Sequence, residues 1–444
     1  MSLESFGLAA SPVSRRAVLG GGLLLAATPL LASCAPASTG STASGPLQML
    51  MWDSYPDEAR ANIEAFTKKS GYEVDLQVLP GGDAYGPALQ TRLQGNDRID
   101  IYYNKSYNLT KYADAGWAQD LSNLDGVDEM LGEMFPSATS RYQIADGRVA
   151  AAPYFTAVTL LHYNKRHMTE NGFTAPPESL DEVYTQSETF KKAGVEMPYA
   201  AFWIKSFCEE YLMTYLLSEG ITPFDEKANP VFGDDSKTKE MLEWWAAMYQ
   251  DGLTSPTILT DDPNSLAVAM QNGTSSFLML HHYFQKVIRD AAGPESENVE
   301  LSYRVPGSAN MTLQLGEVLQ MGTAGVDTQG AWELMKFYGW KDEAGKYATF
   351  VSWAKSAALL GPYPGLFEDP DFRAGLDPYY DVDALSEVHN SQSDPVPARS
   401  LAWYPTFQTK VGDRIHALLL GQASAADTVA AMSADAQDAI KQNG

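Results

Sequence analysis

Cysteine is almost absent from this 444-residue chain, which carries two, Cys34 and Cys208. If Cys34 is consumed by another chemistry, Cys208 has no partner and no disulfide exists. Cys208 lies in an amphipathic helical stretch, Phe207 to Leu212, and reads as a small buried apolar residue. No motif around it makes it a catalytic thiol. Positive charge is also scarce: 31 lysines and arginines face 56 acidic residues, a formal net charge of -25. Such a charge repels nucleic acid phosphates and anionic headgroups, which excludes a nucleic-acid role. No apolar run is long enough for a comfortable transmembrane helix, since the one from Val18 to Leu31 is short and diluted by Gly20, Gly21 and Gly22. The sequence also lacks GxSxG, HExxH, GxxxxGK[ST] and CxxC. Asp261-Asp262-Pro263-Asn264 and Asp381-Val382-Asp383 lack full calcium-ligand spacing and read as a helix start and a turn. No enzyme, no cofactor and no metal is expected.

What is present is a folding composition, 45% hydrophobic and 20% charged, in a length that suits two domains. Aromatic residues make up 11% and supply core, binding surface or both.

The first 34 residues run Ser14-Arg15-Arg16, then the apolar stretch, then Leu31-Ala32-Ser33-Cys34. The small residues before cysteine resemble the bacterial lipobox, whose cysteine is lipidated, and the paired arginines resemble a twin-arginine export signal. A buried N-terminal helix with a core cysteine is the competing reading. Residues 35–46, rich in Ala, Ser, Thr, Gly and Pro, read as a flexible tether. The lipid reading predicts a membrane partner through the anchor and an exported location at the outer face of the cytoplasmic membrane or in the periplasm.

After the tether, strands and helices alternate. Leu47–Met51 reads as a strand and Glu58–Ser70 as a helix stopped by Gly71. Tyr72–Val78 alternates as a strand, and Ile99–Tyr103 is a third. Gly147–Pro153 is a break, and Val158–Tyr163 a further strand. Ser179-Leu180-Asp181-Glu182 is a capping box, and Pro263–Asn272 a helix closed by Gly273. The pattern predicts an α/β fold with parallel strands.

The order of these elements resembles the bacterial extracellular solute-binding family that includes maltose-binding protein. Leu50-Met51-Trp52-Asp53 resembles its first strand and ligand-facing loop, and Asp100-Ile101-Tyr102-Tyr103 its third strand. Asp146-Gly147-Arg148-Val149 through Pro153 resembles its lobe-crossing entry. His162-Tyr163-Asn164-Lys165 with Asn171-Gly172-Phe173 and Pro176-Pro177 resembles its "YNK…G…PP" signature. Asn272-Gly273-Thr274 and Gly421-Gln422-Ala423-Ser424 resemble its return strand and last helix pair. Ser276-Phe277-Leu278-Met279 and His281-His282-Tyr283 depart from the usual pattern there. The resemblance implies the two-lobe periplasmic-binding-protein type II fold, with a hinge between lobes made of 46–155 plus 281–325 and of 156–280 plus 326–444. It implies a monomer that captures a small solute and delivers it to the permease of an ABC importer.

A sugar needs flat aromatic platforms and planar polar side chains, set in the loops after strands. The candidates are Trp52, Asp53 and Tyr55 after the first strand, Asp83 and Tyr85 in the glycine-flanked loop, and Asn104 and Tyr107 after the third strand. Tyr154 marks the lobe crossing and Trp203 follows a strand-like run. His282 and Tyr283 mark the return crossing, while Glu317, Trp353, Trp403 and Tyr404 follow by family position. Each has a bland alternative as a surface-loop, hinge or core residue. Adjacent His281 and His282 on a strand point to opposite faces and make no metal pair. Trp244, Trp245, Trp332 and Trp340 fall at helical spacing and are expected in the core. A lipid-anchored glycoside hydrolase is the competing function. The same fold could instead take a polyamine, a peptide or an acidic sugar: extra cleft carboxylates would favour polyamines, and Arg304 or Arg399 in the cleft would favour acids.

Overall fold

Two long strands carry the architecture. The structure, a computed structural model, describes residues 45–444 except 145 and 444, and all side chains within that span except those of 83 and 443. The proposed signal, the lipidation site Cys34 and nearly all of the tether lie outside the described residues.

The strands are β1 (Leu47–Trp52), β2 (Val74–Leu79), β3 (Ile101–Lys105), β4 (Ala152–Asn164), β5 (Tyr199–Ala201), β6 (Phe277–His281), β7 (Val299–Ser302), β8 (Thr312–Met321) and β9 (Ser393–Asp394). Their order is β2-β1-β3-β8-β4-β6-β5, with β7 on β4 and β9 on β8. β1 pairs in parallel with β2 and β3, and β5 in parallel with β6. β8 runs antiparallel between β3 and β4. The first half of β4 pairs with β8, and its second half with β6 and β7. β4 and β8 thus join two sheet regions. Both are buried almost throughout, as strands covered on both faces must be.

Local chemistry explains the helix ends. Gly71 and Gly273 stop their helices at φ 79° and 72°, where a β-carbon would be strained. Ser179 accepts a hydrogen bond from the Glu182 amide and opens the helix Leu180–Lys192. Pro153, read as the end of a break, lies inside β4, beside a register shift that absorbs the missing amide donor. The helix Cys208–Ser218 is buried on every face and packs under β8 and against the helix Tyr404–Leu419. Trp244, Trp245, Trp332 and Trp340 are buried, as their spacing predicts.

The expected lobe division differs from the contacts at two segments. Residues 284–302, expected with the first half, pack on the second: β7 pairs with β4, and Gln285 donates to the Val299 carbonyl at 2.8 Å. Residues 328–342, expected with the second half, pack on the first. The Tyr338 hydroxyl donates to the Ala59 carbonyl at 2.7 Å, and Lys69 meets Asp342 at 2.5 Å. The physical reason is β8, which carries the chain back across before the helix Thr328–Gly339 begins.

Candidate functional site

The C-terminal ends of β1, β2, β3, β5 and β6 converge on one cavity of about 390 Å³. This is where the strand-end rule places ligands in α/β sheets. Trp52, Asp53 and Tyr55 enter it from the end of β1, and Tyr283 faces them from beyond β6. The Trp52 ring stacks on Tyr103, with centroids 5.5 Å apart and planes at 26°. Tyr55 caps the helix Pro56–Ser70 from the left-handed region, φ 50°, which costs a side-chain-bearing residue about 1–2 kcal/mol. Its ring meets Tyr283 at 6.3 Å. Gly81 makes room for Asp53: a β-carbon there would sit 2.3 Å from Asp53 Oδ1.

The polar floor comes from strand register. Lys105 and Glu317 are direct partners across β3 and β8, and Lys105 Nζ donates to Glu317 Oε1 at 2.5 Å. The same Nζ lies 4.8 Å from the Trp52 ring and 5.6 Å from the Phe207 ring. Both distances are within cation–π range. Glu210, buried on the helix Cys208–Ser218, faces His281 Nε2 at 3.5 Å, and His281 Nδ1 meets the Tyr283 hydroxyl at 2.9 Å. Burial opposes the Lys105 charge, but Glu317 and Glu210 outweigh it and hold the ammonium above its ordinary pKa. Burial likewise opposes ionisation of Glu210, yet the His281 hydrogen bond and Lys105 win and hold its carboxyl below the usual range. Glu317 helps to line the cavity, with the buried Tyr103 hydroxyl beside its carboxylate.

A second cavity, of about 820 Å³, continues outward and shares Trp52, Gly82, Lys105, Phe207 and Glu210 with the first. Tyr85, Asn104 and Tyr107 line it. Tyr85 is mostly committed inward, its hydroxyl donating to the Tyr103 carbonyl at 2.7 Å, and Asn104 donates to Gln320 at 2.7 Å.

The expected residues therefore divide. Trp52, Asp53, Tyr55, Tyr283 and Glu317 line the first cavity, and Tyr85, Asn104 and Tyr107 the second. The Asp83 side chain lies outside the described residues. Six candidates are placed in the interior instead and line neither cavity. Tyr154 is packed among Tyr103, Tyr338 and Trp353, because alternation along β4 turns its neighbour Phe155 to the cleft and Tyr154 away. Trp353 is enclosed behind Tyr55 and Tyr154. Trp203 packs against Tyr199 and Trp245, at tilted ring angles, in the second half's core. His282 turns opposite to His281 and meets the Ala358 carbonyl at 3.1 Å. Trp403 and Tyr404 pack around Phe224 and Phe407. Phe155, which the sequence offers beside Tyr154 at the lobe crossing, lines the first cavity, as do Lys105, Phe202, Phe207, Glu210 and His281, which sequence reasoning did not propose. Lys105 and Phe202 each adjoin a residue that was proposed, and the strand-end rule reaches both. Glu210 lies within a helix, where that rule gives no signal.

The model of the family described as bacterial extracellular solute-binding protein matches residues 52–339. This chain belongs to that family. Among solved structures, maltose-bound MalE3 of T. maritima is 17% identical, with a TM-score of 0.76 over 89% of this chain and 99% of that one. The GacH receptor of Streptomyces glaucescens is also 17% identical, with a TM-score of 0.74 over 91% and 100%. An ABC substrate-binding protein of Listeria monocytogenes, in complex with cycloalternan, is 13% identical, with a TM-score of 0.76 over 90% and 99%. At these identities the likeness shows the fold, the two-lobe α/β type. The diacetylchitobiose binding protein DasA of Streptomyces coelicolor is 26% identical over 141 residues, which is 32% of this chain and 32% of that protein.

Proposed function

We propose that this solute-binding protein captures an uncharged sugar between two lobes and delivers it to the permease of an ABC importer. The observation that carries the reading is the cavity itself. The rings of Trp52, Tyr55 and Tyr283 surround a polar floor of Asp53, Glu210, His281 and Glu317. Aromatic faces suit the C–H faces of a sugar, and carboxylates suit its hydroxyls. The sugars named for the relatives, maltose, cycloalternan and diacetylchitobiose, support the same class.

One lobe comprises β1, β2 and β3 with residues 328–357, the other β5, β6 and β7 with residues 404–443, and β4 and β8 cross between them. Hinge bending about that crossing brings Phe207 and Tyr283 onto the sugar held by Trp52, and the ligand stabilises the closed state by touching both sides. Cys34 carries a lipid anchor after export, and residues 35–46 hold the folded body off the membrane. The protein works as a monomer.

Against a hydrolase, a glycosidase acid needs a raised pKa, whereas Glu210 is lowered and Glu317 is paired with Lys105. Against an acidic ligand, Arg399 is buried on Glu209, and Arg304 lies 3.8 Å from Glu178 away from both cavities. A thermal-shift panel of neutral sugars, amino sugars, uronic acids, polyamines and short peptides tests the reading. A ligand at a hundred times its Kd stabilises by about 2.7 kcal/mol. A shift with neutral sugars, recovered uncleaved, is expected. A shift with polyamines or peptides alone overturns the sugar.

A further inference from the structure

The cleft contains its own cation. Lys105 ends β3, and its ammonium reaches Glu317 across the β3–β8 ladder at 2.5 Å. It lies over the Trp52 ring at 4.8 Å on one side and near the Phe207 ring at 5.6 Å on the other. Glu210 lines the same cavity and adds a second attractive carboxylate. Aromatic faces with carboxylates at close range form the environment that recognises an alkylammonium group. Here the protein's own side chain occupies it. The side chains of Lys105 and Glu317 are 17% and 8% exposed, so little water screens the pair.

We propose that Lys105 is a specificity-determining residue that fills the cation position of the cleft and so excludes ammonium-bearing ligands in favour of uncharged sugars. This assignment rests on the sugar-binding reading for the identity of the ligand, but not for the cation position. An amino sugar entering beside Trp52 would place a second ammonium against that of Lys105. A neutral sugar instead finds acceptors in the carboxylates of Asp53 and Glu210, which line the same cavity. Removing the lysine charge while keeping the carboxylates should convert the site into one that accepts cations.

Two variants of the full chain test this. Lys105→Ala removes the side chain beyond Cβ, and n-butylammonium offers an ammonium on a short alkyl chain in its place. Lys105→Gln keeps an amide donor for Glu317, so that the carboxylate stays satisfied if the alanine variant folds poorly. Thermal melting is read with n-butylammonium chloride against n-butanol at equal concentration. The expected result is that n-butylammonium stabilises Lys105→Ala at least tenfold more tightly than wild type, with no such difference for n-butanol. Calorimetric titrations of a neutral sugar and its 2-amino counterpart then give a ratio of affinities. That ratio is expected to exceed tenfold in wild type and to fall at least tenfold in Lys105→Gln. Equal response of wild type and variant to n-butylammonium, or an unchanged sugar ratio in Lys105→Gln, overturns the assignment. If no sugar binds wild type, the sugar reading falls, and the n-butylammonium comparison still decides the role of Lys105.

Discussion

Arg399 grips Glu209 with two hydrogen bonds, Nε to Oε1 at 3.0 Å and Nη2 to Oε2 at 2.9 Å, in an interior where the side chains are 4% and 0% exposed. The Tyr404 hydroxyl donates to the same carboxylate, and the guanidinium lies 5.6 Å from the Tyr107 ring. The unit anchors the first turn of the helix whose next residue, Glu210, faces the cleft. Breaking such a pair strands a buried charge and costs about 3–5 kcal/mol. Arg399→Met is therefore expected to lower stability by that amount in urea denaturation. The double variant Arg399→Met with Glu209→Met should recover much of it. A single-variant loss below about 1 kcal/mol would show that the pair is not held as described.

Trp52→Ala is expected to weaken sugar binding by about 2 kcal/mol, near thirtyfold, because it removes a platform of the cleft. Its melting temperature should change little, since Trp52 is half-buried at the cavity wall. Trp203→Ala should do the reverse. It empties an interior site and costs about 3–5 kcal/mol of stability, while the folded fraction keeps its affinity. Calorimetric titration and denaturation of both variants separate the two roles.

Gly316→Ala is expected to destabilise by about 1–3 kcal/mol through overpacking. A β-carbon there would lie 2.3 Å from Arg141 Nη1, and Arg141 donates to the neighbouring Leu315 carbonyl. Thermal melting checks this. A neutral substitution would mean that the guanidinium moves freely.

Acid should unfold the protein through its interior histidines. Burial pushes His162 down to about 4 and His282 down to about 3, and holds His389 well below its ordinary value. An unfolded histidine titrates near 6.5. The unfolded chain thus binds protons that the folded chain refuses. Stability from these groups is complete above pH 6.5 and is lost as pH falls, toward 4 for His162 and toward 3 for His282. At pH 5 the loss is about 2 kcal/mol for each of His162 and His282. Calorimetric melting at pH 7.5 and pH 5 should show it, and His282→Gln should flatten the dependence. A melting temperature that does not move between the two pH values would contradict neutral burial.

Features that local chemistry dictates were legible in the sequence. Gly71, Gly273 and Ser179 announce helix ends because the backbone needs them there, and Trp52 and Asp53 announce a site because they follow a strand. The Lys105–Glu317 contact was not legible, because it joins residues 212 positions apart through the register of two strands. Glu210 was hidden for another reason. Its stretch reads as amphipathic, yet the helix is enclosed on every side, so a carboxylate expected at a solvated face lines the cleft. Trp203, Trp353 and Tyr404 look like platforms by composition, and only packing against distant elements makes them core. The side on which 328–342 packs was not legible either, because the return through β8 decides which half the helix joins.

Capture of an uncharged sugar in the cleft is checked by calorimetric titration of the protein with the sugar that raises its melting temperature, followed by chromatography of the recovered ligand. One sugar bound per chain, displaced by no amine and returned uncleaved, is the expected result. Heat only from amines or peptides, or a cleaved sugar after incubation, would contradict it.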